Sequence, residues 1–319
     1  MWVIIINRKL GKMKFRLFAF CLLFQVLVFS QEKQFTSSDI SINKFIDGTL
    51  LLPIDNPKPN LAIIIGDSGP TDRNGNQNFL KNNSLKKLSE GLSKNGIASF
   101  RYDKRIVKQI RNNYVGKNIM FDDFVTDAIS VIYYFKASNN YNKIYVIGHG
   151  QGSLVGILAS EDGVDGFISI GGAGNSIDDV IIEQIEKTAP MFTEDAKGVF
   201  TVLKNGKTTS HYPEALGSIF KEDIQLFMSN WMQYNPQDEI KKLSIPILII
   251  NGTKDLQVSV EEAKLLESAA IHASLKIIDK LNHIMYTIEG DDLENSKSYN
   301  ESFRQISPEL IETILGFIK

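Results

Sequence analysis

The chain has 319 residues, 43% hydrophobic and 23% charged, with a formal net charge of -2. That is an ordinary globular composition, and its interspersed lysines and acids offer no basic patch for nucleic acid or an anionic membrane. The single cysteine, Cys21, excludes a disulfide framework, so a core of ordinary size has to hold the fold.

At about 150 residues per domain, the length fits two units, or equally one α/β domain carrying an insert. Near the start, Arg8, Lys9, Lys12, Lys14 and Arg16 precede an almost purely apolar run over 17–29 and then Ser30. A charged start, a short apolar stretch and a small residue make a signal-peptide pattern. The run is short for a membrane span, which needs ~20 residues, although a retained anchor is the alternative. Met13 can open such a signal by itself. Residues 1–30 are expected to be a signal peptide cleaved after Ser30, leaving Gln31 first, no thiol, and a secreted or periplasmic protein without a stable membrane span.

From there, 39–45 and 48–53 alternate like a hairpin, and 56–60 form a Pro- and Asn-rich turn. Residues 61–65 are continuously apolar, as in a buried parallel strand. A Gly-, Pro-, Asp- and Asn-rich loop covers 66–77. Ser84 is expected to cap a helix running to about residue 94, which Asn95-Gly96 ends. A strand over 97–102 follows, and then a helix over 121–135 with apolar residues at a helical period. Strand 144–147, a glycine cluster, a small-residue helix over 154–159 and strand 167–170 come next. Strand and helix alternate to this point, which implies a mostly parallel sheet covered by helices on both faces.

Between 175 and 242 that rhythm breaks into several helices. Met191, Phe192, Phe200, Phe220, Phe227, Met228, Trp231, Met232 and Tyr234 lie in this stretch. Either they pack the insert onto the sheet domain, or they form the apolar underside of a lid over an acyl or peptide pocket. The sheet resumes with strand 245–250, helix 260–270, strand 274–278 and a last helix over 309–319. The expected organisation is a core in two parts, 31–174 and 243–319, with a helical lid insert at 175–242.

The chemistry centres on Gly148-His149-Gly150-Gln151-Gly152, which follows the 144–147 strand and opens a helix. Glycines flank one turn-top position, as in the G-x-S-x-G nucleophile elbow, where strand and helix backbones nearly touch. The turn-top residue here is Gly150. Asp255 and His283 each stand just past a strand's carboxyl end, in the order elbow, acid, histidine. In such a set His283 is the general base, and Asp255 fixes its tautomer and stabilises the imidazolium. With glycine at the turn, these two helpers are expected to surround an empty apex. His149 belongs beneath the site, His211 to the insert or a loop, and His272 to a surface turn. No histidine–acid spacing resembles a metal site, and no cofactor is expected. A dinucleotide fingerprint fails because Ser153 stands where its third glycine belongs and no acid ends the strand at Ile170. A P-loop fails because no Lys-Ser/Thr follows the glycines.

These residues resemble the serine aminopeptidase-like and esterase-like branch of the α/β hydrolases, in a secreted bacterial subgroup. The matching stretches are Ser68-Gly69-Pro70-Thr71-Asp72-Arg73-Asn74-Gly75-Asn76, Arg101-Tyr102-Asp103-Lys104-Arg105, Phe121-Asp122-Asp123-Phe124, the elbow, and Asn251-Gly252-Thr253-Lys254-Asp255-Leu256-Gln257-Val258. The resemblance implies an oxyanion hole of backbone N–H groups near Ser68 and at Gln151. Three departures from the family pattern bear on activity. Gly150 replaces the serine. Asp67 replaces a glycine and brings a possible carboxylate to where negative charge would develop. Ile106 replaces a glycine in a loop expected to rim the site. Neither Ser153, which should point away, nor Ser68 is a good substitute nucleophile, whereas His283 with Asp255 could activate water directly. Two functions follow: a hydrolase of small ester or peptide bonds with weak or lost activity, or a noncatalytic protein that binds a small ester, acyl or peptide ligand in the same pocket.

Overall fold

The computed structural model describes residues 34–114, 119–161 and 163–318. The expected signal segment lies outside the described residues. Among those described, no helix is long and apolar enough to cross a membrane.

Eight strands form one sheet. They are β1 (Phe35–Ser41), β2 (Asp47–Pro53), β3 (Leu61–Ile65), β4 (Ala98–Tyr102), β5 (Ile144–His149), β6 (Gly166–Ile170), β7 (Ile247–Gly252) and β8 (Ala273–Ile278), in the order β1-β2-β4-β3-β5-β6-β7-β8. β1 and β2 pair antiparallel, β2 pairs antiparallel with β4, and the remaining pairs are parallel. The continuous apolar runs of β3, β5 and β6 are buried throughout, because helices cover both faces.

Alternate side chains divide the core in two. Ile63, Val146, Phe167 and Ile249 join a cluster with α3 (Phe121–Ser138), α4 (Gln151–Ser160) and α10 (Val260–Ala269). Ile64, Ile147, Ile168 and Ile250 join a cluster on the opposite face with α1 (Ser84–Lys94) and α12 (Pro308–Ile318). Ser84 opens α1 rather than capping it. The cap position is Asn83, at φ 59°, and it makes no side-chain capping bond. Ile106 lies not in a loop but inside α2 (Arg105–Arg111), a helix that the charged sequence around it conceals. A short helix α11 (Asp292–Ser298) was likewise not legible.

Between β6 and β7 the chain is helical: α5 (Ile177–Thr188), α6 (Thr193–Lys204), α7 (Gly217–Phe220), α8 (Glu222–Trp231) and α9 (Pro236–Ile240). Most of its aromatics pack. Phe200, Phe220 and Met228 share a cluster internal to this stretch, and Trp231 stacks on Phe121 of α3 at 5.5 Å between ring centroids.

Register positions the site. β3 and β5 run parallel with Ile65 opposite Gly148. Continued two residues beyond that pair, the register sets position 67 beside position 150.

Candidate active site

The elbow forms as its glycines require. A β-carbon on Gly148 would lie 2.3 Å from the carbonyl oxygen of Gly152, and one on Gly152 would lie 2.5 Å from that of Ile65. Only glycine lets α4 leave the sheet this closely. Gly150 itself turns at φ 55°, ψ -121°.

The apex is not empty, contrary to the sequence expectation. The Asp67 side chain fills it from the end of β3. Its Oδ1 accepts the backbone N–H of Ser68 at 2.6 Å and of Gln151 at 2.9 Å. These are the two donors expected to form the oxyanion hole. Its Oδ2 faces His283 Nε2 at 3.1 Å. On the other side of the ring, His283 Nδ1 lies 2.8 Å from Asp255 Oδ2. Asp255 is fixed in turn, because its Oδ1 accepts the N–H groups of Gln257 and Val258. The structure thus brings Gly150, Asp255, His283, Ser68 and Gln151 together, and adds Asp67 at their centre.

The loop carrying Ser68 is held from several sides. The Arg73 guanidinium pairs with Asp103 at 2.8 Å, and the Asp103 carboxylate also accepts the Arg73 backbone N–H at 2.8 Å. Gln77 donates to the Ser68 carbonyl at 2.9 Å, and Thr71 donates to it at 2.7 Å. At the end of β4, Arg105 reaches Asp123 at 2.6 Å and Asp127 at 2.7 Å. Three of the sequence stretches singled out above are therefore one ion-paired scaffold behind the apex.

Three comparisons bear on kinship. Esterase EstD of Thermotoga maritima is 24% identical over 266 residues, which cover 81% of this chain and 62% of that protein. The chain therefore spans less than two thirds of that relative's length. Est1E from Butyrivibrio proteoclasticus has the same fold at a TM-score of 0.56, with 17% identity over 88% of this chain and 98% of that one. A bromoperoxidase from Bacillus anthracis superposes at a TM-score of 0.50, with 14% identity over 89% of this chain and 99% of that one. No family model matches. These likenesses, with the strand order above, show the α/β-hydrolase fold.

On this α/β-hydrolase fold the charge state of the site follows from the geometry. Both ring nitrogens of His283 face carboxylates, so both carry protons and both donate. Burial alone would push this imidazole down. The charge and hydrogen bond of Asp255, joined by those of Asp67, outweigh burial and hold it up at about 10. Burial would likewise raise Asp67. The hydrogen bond and charge of His283, helped by the Gln151 N–H, hold it well below the usual carboxylate range. At neutral pH the resting site is thus an imidazolium between two carboxylates. That cation has no free lone pair, so the expected direct activation of water by His283 is closed while Asp67 is ionised.

His149 is buried beneath the site, and its Nε2 donates to the His283 carbonyl at 2.7 Å. Burial, followed by the His283 charge, keeps it neutral by lowering its pKa. His211 and His272 are exposed and distant in role, in the helical stretch and in the turn before β8. Ser153 bonds Ser169 at 2.7 Å inside the core, turned away from the apex. Among the described residues, no group of three or more His, Cys, Asp or Glu could hold a metal ion.

Two contributors were missed in the sequence. Lys104 is buried, and its Nζ donates to the Asp67 carbonyl at 2.9 Å and to Gln151 Oε1 at 2.6 Å, tying the two sides of the hole together. Burial lowers it to about 7 against the pull of the Asp67 charge. Its position just past β4, in step with Asp67 past β3, was the available signal. Glu262 accepts the N–H groups of Gly174 and Asn175 at 2.7 Å each and so anchors Asn175, which lines the cavity described below. A glutamate inside an ordinary amphipathic helix carried no such signal.

A cavity of about 270 Å³ opens beside Asp67, Gly150 and His283. Ile177, Val180, Ile181 and Trp231 give it an apolar wall. A second space of about 210 Å³ lies against Asp67 as well, lined by polar groups such as Thr71, Gln77 and Asn82. The Asp67 side chain keeps 15% of its surface exposed.

Proposed function

We propose that this α/β hydrolase does not carry out serine acyl transfer, and that its cavity binds a small, largely apolar ester-, acyl- or alkyl-type ligand against Asp67. The observation behind this reading is the pair of backbone N–H bonds to Asp67 Oδ1. An acyl substrate needs those donors for its developing oxyanion, where one is worth ~3 kcal/mol of barrier. A resident carboxylate already holds them, and its own negative charge opposes a second anion. The likeness to an esterase favours descent from a small-ester hydrolase, with acyl chemistry lost through positions 150 and 67. The helices between β6 and β7 serve as the lid of this pocket, since α5 and Trp231 furnish its apolar wall.

The test is turnover of p-nitrophenyl butyrate and aminoacyl anilides, with labelling by a serine-directed fluorophosphonate. Neither turnover above buffer nor label is expected. Robust hydrolysis abolished by the phosphonate overturns the reading. Export is part of the proposal, on the basic residues before the apolar 17–29 run. A mature N-terminus at Gln31 in secreted or periplasmic material checks it.

A further inference from the structure

We propose that Asp67 is itself a nucleophile, attacking saturated carbon atoms that carry an anionic leaving group, such as primary alkyl halides. The inference rests on the reading that acyl transfer is blocked.

Four observations carry it. First, Asp67 Oδ2 stands within 3.1 Å of His283 Nε2. That is the contact a serine hydroxyl makes in an elbow of this kind, and carboxylates are established covalent nucleophiles. Second, the hole is filled by the nucleophile's own Oδ1. A carbonyl substrate finds no donors in the hole, whereas displacement at saturated carbon places its charge on the departing group, outside the hole. Third, once Oδ2 is alkylated, Oδ1 becomes an ester carbonyl oxygen already seated on two N–H groups. Attack of water on Cγ then develops charge where those donors point. Fourth, the cavity beside Asp67 has a wall of aliphatic and indole side chains, suited to an alkyl chain.

The steps balance. Oδ2 bonds to the substrate carbon, and the leaving group departs with its electron pair. The ester has no charge, so His283 loses one of its two anionic partners and releases the Nε2 proton to solvent. Neutral His283, still oriented by Asp255, takes a proton from water as that oxygen bonds to Cγ. The tetrahedral centre collapses, the Cγ–Oδ2 bond breaks, the alcohol leaves with the proton from His283, and the proton left on the Asp67 carboxyl by the attacking water passes to Nε2 to restore the resting pair. Alkyl halide and water give alcohol, halide and a proton, and one Asp67 oxygen now comes from water.

The experiment uses the whole chain with 1-bromopropane through 1-bromohexane. Single turnover in ¹⁸O-water is expected to leave one ¹⁸O in the peptide bearing Asp67, with the first alcohol unlabelled. His283→Gln is expected to accumulate an alkyl ester on Asp67 in that same peptide, and Asp67→Asn to release halide only at the buffer rate. Solvent oxygen in the first alcohol, alkylation at other residues only, or no label from any of the bromides in the wild-type chain overturns the proposal. A phosphonate-labelled, ester-cleaving protein would instead overturn the reading beneath it, so the two failures are distinguishable.

Discussion

Gly150 and Asp67 compete for one volume: a β-carbon placed on Gly150 would lie 1.9 Å from Asp67 Oδ1 and 2.4 Å from its Cγ. No rotation of a serine side chain relieves this, because the clash is at Cβ. The two departures from the hydrolase pattern are therefore one change in physical terms. The glycine makes room for the carboxylate, and the carboxylate occupies the site the serine would need.

Restoring serine at Gly150 alone should thus fail. Gly150→Ser is expected to lower stability by about 1–3 kcal/mol through overpacking and to gain no phosphonate labelling. The pair Gly150→Ser with Asp67→Gly removes the clash and frees both hole donors. It is expected to recover the stability lost to overpacking, though not the Asp67–His283 pairing, and to acquire measurable turnover of p-nitrophenyl butyrate. Thermal melts and active-site titration of the three proteins check this, and a single variant as stable and as labelled as the double would refute it.

Asp67→Asn tests the charge logic without changing shape. His283 loses one anionic partner, so its charged form is less favoured and its pKa falls from about 10. NMR titration of the imidazole Cε1–H should record the drop, with Asp255 still in place. An unchanged titration would mean that Asp67 does not pair with the ring in solution.

Stability should follow pH with a definite sign. The folded His283 is raised from an ordinary 6.5 to about 10, so its contribution is full below 6.5 and is lost as pH rises through 10. Asp67 is depressed from 3.8, so its contribution is full above that value and is lost in acid. Lys104 acts in the opposite sense to His283. It is lowered from 10.5 to about 7, and stability is gained as pH rises between those values. Denaturant titrations of wild type and His283→Gln isolate the histidine: the gap between them should narrow steadily from pH 6.5 to 10. A gap independent of pH would contradict the imidazolium.

The scaffold behind the apex is predicted to be costly to break. Arg105 and Asp127 are both buried and pair at 2.7 Å, with a second Arg105–Asp127 bond at 2.8 Å. Asp127→Ala leaves the guanidinium only Asp123 and is expected to cost about 3 kcal/mol by urea unfolding. Asp123→Ala, whose carboxylate is a third exposed, should cost clearly less. Equal losses would show that burial does not set the difference.

Much of this was legible along the chain. The apolar runs of β3, β5 and β6 declared buried strands, the glycines at 148, 150 and 152 declared a strand-to-helix elbow, and the order Gly150, Asp255, His283 declared which hydrolase plan was present. Local pattern suffices there, because strand burial and tight turns depend on neighbouring residues. Asp67 was visible as an odd residue near the hole, and its sequence position alone fixed neither its rotamer nor its partners. Helix α2, the Lys104 bridge and the Glu262 anchor were hidden, since each depends on groups brought together from distant segments.

By itself, the sequence determined that the elbow lacks a hydroxyl and that an acid and a histidine follow in hydrolase order. Only the tertiary structure decided what stands in the hydroxyl's place. The parallel register of β3 on β5 brings residue 67 beside residue 150, and two backbone N–H groups with one imidazolium then capture the nearest carboxylate, because a buried anion is stable only where such donors converge.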